Sequence, residues 1–547
     1  MPSIRSSGLT AILAKISQSL TTEKKQGYIV GGFIRDRLLK RQTNDVDIAV
    51  SGDATRIARK VAKEIGGKFV LLDDANSVAR VVVVENEQPT ETARDRESHA
   101  REWHFDFSSF TGDIRSDLAR RDFTINAMAV ELNQFVAASL ARSTSSRKSA
   151  RARAERRPTV KLIDPLSGKD DLRDKIVRRV SQQIFEADAA RLLRAVRLAA
   201  ELNFTIEPET ESLIHHYSQT VTEVPGERTR EELLRLLALP RTSYYMRYLD
   251  ELGLLIALIP ELAESKGVEQ PTVHFWDVFE HSLQTVAALE FLLRESDWEY
   301  GNEDMLSTAP WSDAIDKHLS HEVSSGSNHK VLLKLGGLLH DIAKPMTKSI
   351  DDTGRARFLG HAKQGAAITA TILERLRFSK RETKLVESLV CHHLRPAQMA
   401  NGELPTQRAI YRYFRDAGEA SIDVLLLALA DYLASRGPLA SMEEWRSQCR
   451  LLNYILTEHD KQQVKILPVK LIDGDDIMDE FDLAPGPLVG RLLAIVNEAH
   501  ASGEISTREE ALALVQTELS AVSKQKTRVS QRSRHSAAKV IHRVKVD

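Results

Sequence analysis

Two carboxylates one residue apart, Asp45 and Asp47, follow a glycine turn in the run GYIVGGFIRDRLLKRQTNDVDIAV. The segment VDIAV reads as a strand, whose side chains alternate between faces. Asp45 and Asp47 therefore leave one face together, close enough to share a divalent cation. Two hard oxygen ligands at this spacing suit Mg2+, which keeps coordination positions open for substrate phosphates. Upstream, Gly31 and Gly32 join the apolar strand Tyr28 to Val30 to a helix starting near Phe33. Glycines there let backbone amides approach a phosphate, and the helix N-terminus favours its charge. Arg35, in the first helical turn, is placed to reach that phosphate. Singly, a Gly-Gly is ordinarily a turn and an Asp-x-Asp a solvated strand end. In this order they describe a device for holding a nucleoside triphosphate with its metal.

Other charged groupings are patterned too. Arg120, Arg121 and Asp122 stand together, with Asp117 before them and Asn126 after. Arginine suits triphosphate oxygens because its fork is planar and always charged. Asp106, in the alternating strand HFDFSSF, is either a third carboxylate for nucleotidyl transfer or an edge-strand acid. Asp188, Arg191, Arg194 and Arg197 recur at spacings of three, a slowly winding polar stripe on a helix. Leu192, Leu193 and Val196 lie largely off that stripe and can pack. Far downstream, His281, His340-Asp341 and Asp431 sit in VFEHSLQTVAAL, LGGLLHDIAKP and LLLALADYLAS, all helical in pattern. Imidazoles and carboxylates converging from several helices make a divalent-metal site.

GGFIRD followed by NDVDIAV resembles the head of the class II tRNA nucleotidyltransferase and bacterial poly(A) polymerase family. DLARRDFTINAMAVEL, IDPLSGKDDLRDKIVRRV, FEADAARLLRAVRLAAEL and ERTREELLRLL resemble its later motifs, in the family's order. The resemblance implies a template-independent enzyme that adds or repairs the 3′-terminal CCA of tRNA from CTP and ATP. A poly(A) polymerase and an enzyme adding only CC or only A are the neighbouring alternatives, and a phosphohydrolase with an RNA-binding head is the alternative from another class. It implies that Arg121 contacts the nucleotide, with Gly31, Gly32 and Arg35, while Asp122 orients the local network. It also implies that Asp188 and Arg191 offer hydrogen-bond partners to the incoming base, with Arg194 and Arg197 contacting the nucleotide. The family's acid immediately before Asp188 is missing, and Glu186 stands in its neighbourhood. The implied chemistry is in-line phosphoryl transfer assisted by Mg2+ on Asp45 and Asp47. The histidine runs resemble the HD phosphohydrolase family, which implies His281, His340, Asp341 and Asp431 as ligands. His361 and the pair His392-His393 fall where two-metal members place extra ligands, and His392 is taken as the ligand. Lys344 is implied as an accessory phosphate contact. Mixed imidazole and carboxylate ligands favour Ni2+, Mn2+ or Co2+ over Mg2+.

The fold class expected is α+β: a polymerase β-like nucleotidyltransferase head followed by all-helical parts. The expected divisions are a head over 1–165, with a basic insertion near 139–157, and a helical RNA-binding neck over 166–262. An HD domain over 273–450, a tRNA-binding tail over 464–519 and a basic, disordered end over 520–547 complete the chain. Polar stretches near 264–272 and 300–329 read as loops. The chain has 547 residues, 42% hydrophobic and 28% charged, enough for several buried cores. The net charge of −1 is uninformative, but 139–157 carries seven Arg or Lys against Glu155 alone. That insertion and the basic end read either as solvated filler or as contacts to phosphodiesters. Two cysteines, Cys391 and Cys449, exclude a disulfide scaffold and fit a cytoplasmic protein. No apolar run is long enough for a membrane span.

Overall fold

The computed structural model describes residues 7–74, 77–85, 101–143, 160–271, 273–324, 326–400, 404–465 and 471–520. Most of the basic insertion and nearly all of the basic end lie outside these. The chain divides into one unit of Met1–Leu239 with Arg247–Leu258, and a second of Pro240–Met246 with Ile259–Asp547. It is an α+β protein, with its main sheet in the first unit and helices dominating the second.

The first unit is built on a seven-stranded sheet: β1 (Gly27–Val30), β2 (Asp45–Ser51), β3 (Lys68–Asp73), β4 (Val78–Glu85), β5 (Arg101–Phe110), β6 (Ala129–Glu131) and β7 (Leu162–Ile163). Their spatial order is β3-β4-β5-β2-β1-β6-β7. Only β2 and β5 run parallel; the other neighbours are antiparallel. Helices α1 (Ser7–Thr22), α2 (Gly32–Leu38), α3 (Ala54–Ile65), α4 (Ile114–Ala119) and α5 (Leu132–Ser143) accompany the sheet. In β2 the alternation is decisive, because Val46, Ile48 and Val50 are fully buried on the face opposite Asp45 and Asp47. Helix α3 starts where Asp53 accepts the Arg56 amide at 2.9 Å and ends at Gly66, whose φ is 73°. It buries Ala54, Ile57, Ala58, Val61 and Ala62 at helical spacing. Beyond the sheet, α6 (Ala190–Leu202) packs on α7 (Gly226–Leu237).

The second unit is centred on α8 (Val278–Leu292), α9 (His329–Leu339), α10 (His361–Arg375), α11 (Lys380–His392) and α12 (Ser421–Arg436). Helix α8 packs against α9 and α12, and α11 against α9 and α10. Helices α8 and α12 are buried nearly all round, the pattern of helices inside a bundle. The stretch near 300–329 is not the expected loop. It holds helices Glu303–Thr308 and Asp313–Ser320 and a hairpin of Glu322–Ser324 with Ser327–Asn328. Asn302 and Ser312 cap the two helices, and only Met305, Ile315 and Leu319 anchor them in the interior. So few apolar positions give no periodicity to read. Toward the C-terminus, Gly474–Phe481, Pro487–Ala501 and a helix at 508–520 share a core of Ile477, Val489, Leu492, Val496, Ala511 and Val515. Among the described residues no helix is long and apolar enough to cross a membrane.

Candidate active site and metal centre

Strand register builds the first site. Asp47 lies opposite Val30 on β1 and beside Asp106 on β5, while Asp45 lies beside His104. Asp45, Asp47 and Asp106 thus share one face of the sheet, across a parallel pair that is remote in sequence. Gly31 follows Val30 with φ 68°, and a methyl group there would stand 2.7 Å from Asp47 Oδ2 and 3.1 Å from Arg121 Nη1. Only glycine fits that close approach. Burial pushes the Asp47 carboxyl up to about 6; Arg121 opposes this, while Asp106 and Asp45 add to it. The Gly32 amide donates to the same carboxylate. Asp45 is exposed and meets His104 Nδ1 at 3.0 Å, and the other ring nitrogen of His104 meets Glu102 at 3.1 Å. Asp106 accepts two hydrogen bonds from Arg80, at 2.7 and 2.8 Å. Three carboxylates crowded on one face, one of them held back from ionising, suit a divalent cation.

A polar network leads from the glycine turn to α6. Arg35 is buried, donates to both oxygens of Asp36 at 2.9 and 3.0 Å, and reaches Asn126 Oδ1 at 2.8 Å. Three of the five guanidinium N–H groups of Arg35 therefore support the turn. Asn126 Nδ2 donates to Asp122 Oδ1 at 3.3 Å, and Arg194 Nη1 to Asp122 Oδ2 at 3.4 Å. Arg194 also donates to Glu232 at 3.1 Å. Arg197 is buried, ion-paired to Glu232 and donating to Glu201 at 2.7 Å. These two carboxylates hold its guanidinium against α7 and its own helix. Arg121 donates to Asp117 at 3.2 and 3.3 Å and remains partly exposed beside Gly31.

Asp188 precedes α6 rather than lying within it, and accepts the Ala190 amide at 3.2 Å. Both of its oxygens are held by Arg228, at 3.0 and 2.8 Å. Despite the opposing effect of burial, Arg228 lowers the Asp188 carboxyl below its ordinary value. Arg191 donates to two neutral carbonyls, Ile184 O at 3.4 Å and Arg120 O at 3.2 Å. Its ion pair to Asp188, at 3.9 Å, is looser than that of Arg194 to Glu232 at 3.1 Å. Asp188 and Arg228 line an open cleft of about 280 Å³ with Phe185, Tyr217 and Pro225. Glu186 lines the same cleft and accepts from the Tyr217 hydroxyl. Sequence reasoning passed over Arg80, His104, Arg228 and Glu232. The spacing of Arg228 and Glu232 on one helix face was the available signal for the last two.

The second unit carries an independent cluster. His281 Nε2 lies 3.2 Å from His340 Nε2, 3.3 Å from Asp341 and 3.0 Å from Asp431. His340 Nε2 lies 3.1 Å from Asp341. On the other side of the same carboxylate, His361 Nε2 is 3.3 Å from both Asp341 Oδ1 and His393 Nε2. The ligand-bearing position after α11 is His393, not His392: His393 is buried, and His392 is only half-buried. One residue of helical advance decides which imidazole faces inward. Nδ1 of His340, His361 and His393 each meets a carbonyl three residues back, at 2.8, 2.7 and 2.7 Å. That fixes Nδ1–H and directs the Nε2 lone pairs at one another. Facing lone pairs with a bridging buried carboxylate fit metal ions, and Asp341 joins both triplets, His281–His340–Asp341 and Asp341–His361–His393. Burial lowers His340, but Asp341 and Asp431 overcome it and raise the imidazole to about 10, so without a metal Nε2 holds a proton between the carboxylates that a bound ion would displace. Burial and the neighbouring His340 lower His393 to about 4. Lys344 Nζ approaches Asp341 to 2.6 Å and Gln270 to 2.6 Å, so its ammonium is engaged at the cluster's edge.

Residues 27–178 match the poly A polymerase head domain. Residues 203–266 match the probable RNA- and SrmB-binding site of polymerase A, and 278–436 the HD domain. The A-adding tRNA nucleotidyltransferase of Deinococcus radiodurans is 31% identical over 494 residues, 89% of this chain and 94% of that protein. The chain belongs to the tRNA nucleotidyltransferase family. The CC-adding tRNA nucleotidyltransferase of Thermus thermophilus is 30% identical over 90% of this chain and 93% of its own. Among solved structures, an apo CCA-adding enzyme superposes with a TM-score of 0.56 at 18% identity, covering 93% of each chain. A CCA-adding enzyme with ATP gives 0.54 at 19%, covering 93% of this chain and 95% of its own, and both show the shared fold. As a family member the chain is a nucleotidyltransferase carrying an HD domain.

Proposed function

We propose that this chain builds the 3′-terminal CCA of tRNA from CTP and ATP without a nucleic-acid template, and that its second unit is a metal-dependent phosphohydrolase. The observation that carries the first reading is the register that sets Asp45, Asp47 and Asp106 on one face against Gly31 and Arg121. Asp45 and Asp47 would hold Mg2+, which would supply charge neutralisation for the triphosphate and acidification of the attacking 3′-hydroxyl. The protein's own groups do the rest. Gly31 keeps the space above Asp47 clear. Arg121, steadied by Asp117, offers its remaining donors to phosphate oxygens. Arg191 and Asp188 present a donor and an acceptor to the base edge, and the base competes with Arg228 for the Asp188 oxygens. Free cysteines at Cys391 and Cys449 suit a cytoplasmic setting. The test is extension of tRNAs ending at the discriminator base, at C and at CC, with CTP, ATP or both, followed by sequencing of the products.

A second reading restricts the product to CC or to the terminal A. Relatives named A-adding and CC-adding match over about nine-tenths of this chain, whereas the CCA-adding enzyme of Lactobacillus helveticus matches over 52%. The same assay separates the two readings. For the HD cluster, Ni2+, Mn2+ or Co2+ fits its mixed imidazole and carboxylate donors. A panel of phosphoesters, including 2′,3′-cyclic phosphates, assayed with each metal tests that activity.

A further inference from the structure

His318, His329 and Asp423 form a second polar cluster in the unit that carries the HD domain, apart from the HD residues. Asp423 is fully buried at the start of α12. Its Oδ2 lies 2.7 Å from His318 Nε2 and 2.9 Å from His329 Nδ1, while its Oδ1 has no hydrogen-bond partner. The two imidazole rings lie 4.1 Å apart between centroids. Among the described residues no lysine or arginine pairs with Asp423, unlike Asp341, which has Lys344. A carboxylate this deep, with one oxygen unsatisfied, calls for a cation close by. The donors offered are two imidazole nitrogens and a carboxylate oxygen, a set that takes divalent transition metals. We propose that His318, His329 and Asp423 bind one divalent transition-metal ion of the zinc class.

The place of the cluster says what the ion does. His329 opens α9, and His340 follows that helix's last residue, about 16 Å further along at ~1.5 Å per residue. Asp423 and Asp431 stand on α12, about 12 Å apart by the same rise. The ion joins α9 to α12 at the ends remote from the HD cluster. His318, on Asp313–Ser320, ties the segment near 300–329 to both helices. The ion is a clamp on the helix pair that presents His340, Asp341 and Asp431, and His318 remains partly exposed for its entry.

The test uses the full-length, untagged chain with His340→Ala and Asp341→Asn, which silences the HD cluster, in excess Mg2+ to fill the nucleotidyltransferase site. Titrated with Co2+, this protein should bind about one equivalent with the visible absorption of a low-coordinate site. Adding His318→Ala should abolish that absorption while circular dichroism stays unchanged, and His318→Cys should restore binding. Chelation should lower the melting temperature of the His340→Ala/Asp341→Asn protein but not that of its His318→Ala derivative. Absence of Co2+ binding in the silenced protein, or binding unaffected by His318→Ala, overturns the proposal and leaves the three residues as a hydrogen-bonded cluster only.

Discussion

At Asp47 one side chain serves two opposed demands. Its carboxyl is pushed from 3.8 to about 6 by burial and by its acidic neighbours, so metal-free protein carries a penalty once it ionises. Below pH 3.8 both folded and unfolded chains hold the proton. Between 3.8 and about 6 only the folded chain does, so stability falls as pH rises through this window and stays reduced at pH 7. A rise from 3.8 to about 6 corresponds to up to ~3 kcal/mol. Asp47→Asn should therefore abolish nucleotide addition yet stabilise the metal-free protein at pH 7 by about 1–3 kcal/mol. Urea denaturation at pH 5 and pH 7, without divalent ions, reads this directly; equal pH slopes in parent and variant would refute it. Gly31→Ala makes the complementary prediction. Its methyl group would meet Asp47 Oδ2 at 2.7 Å in a backbone of φ 68°. Addition should fall at least tenfold, with a stability loss of about 1–2 kcal/mol from the left-handed backbone. Full activity in this variant would mean that the turn can relax away from the site.

At the scale of elements, α6 and α7 are joined by a charge cluster rather than by apolar packing alone. Glu232 on α7 receives both Arg194 and Arg197 of α6, and Arg194 continues to Asp122. Glu232→Ala would leave Arg194 to Asp122 and Arg197 to Glu201 and should cost about 1–3 kcal/mol, measured by chemical denaturation. Because Arg191 lies outside this cluster, Arg191→Ala should cost little stability and instead erode base choice. Its ratio of CTP to UTP incorporation should drop by about tenfold or more, since a site that pairs with a polar base edge loses discrimination when a partner is removed. An unchanged ratio would remove Arg191 from base reading.

For the whole molecule, the three sheet carboxylates and the HD-domain cluster lie in separate compact units. Asp341 contributes to both triplets of the HD cluster, so Asp341→Asn should end metal-dependent phosphoester hydrolysis and metal uptake at that cluster. Nucleotide addition, which is proposed to depend on Asp45 and Asp47, should persist within about twofold, as expected for sites that share no partner residues. Parallel assays of one preparation check this, and joint loss with intact circular dichroism would show that the two activities are coupled.

What the amino-acid sequence determined alone was local in origin. Alternation placed Asp45 and Asp47 on one strand face, glycines marked the turn, and helical periodicity set the histidine-bearing runs on helices. Motif order and family resemblance gave the expectation of a nucleotidyltransferase head and an HD domain, to which the domain matches agree. Tertiary structure decided which charged groups are already satisfied. Arg35 and Arg197 look like phosphate or nucleotide ligands in the chain, and folding gives each of them internal partners as well, Asp36 and Asn126 for the first and Glu201 and Glu232 for the second. Only folding chose His393 over His392, because adjacent residues on a helix differ by about 100° of rotation and packing sets which one points inward. Only folding brought Asp106 beside Asp47 and Asp423 between His318 and His329, since strand register and helix packing join residues tens of positions apart. Spacing along a chain encodes direction within one element; partnership between elements is set by how their buried faces fit.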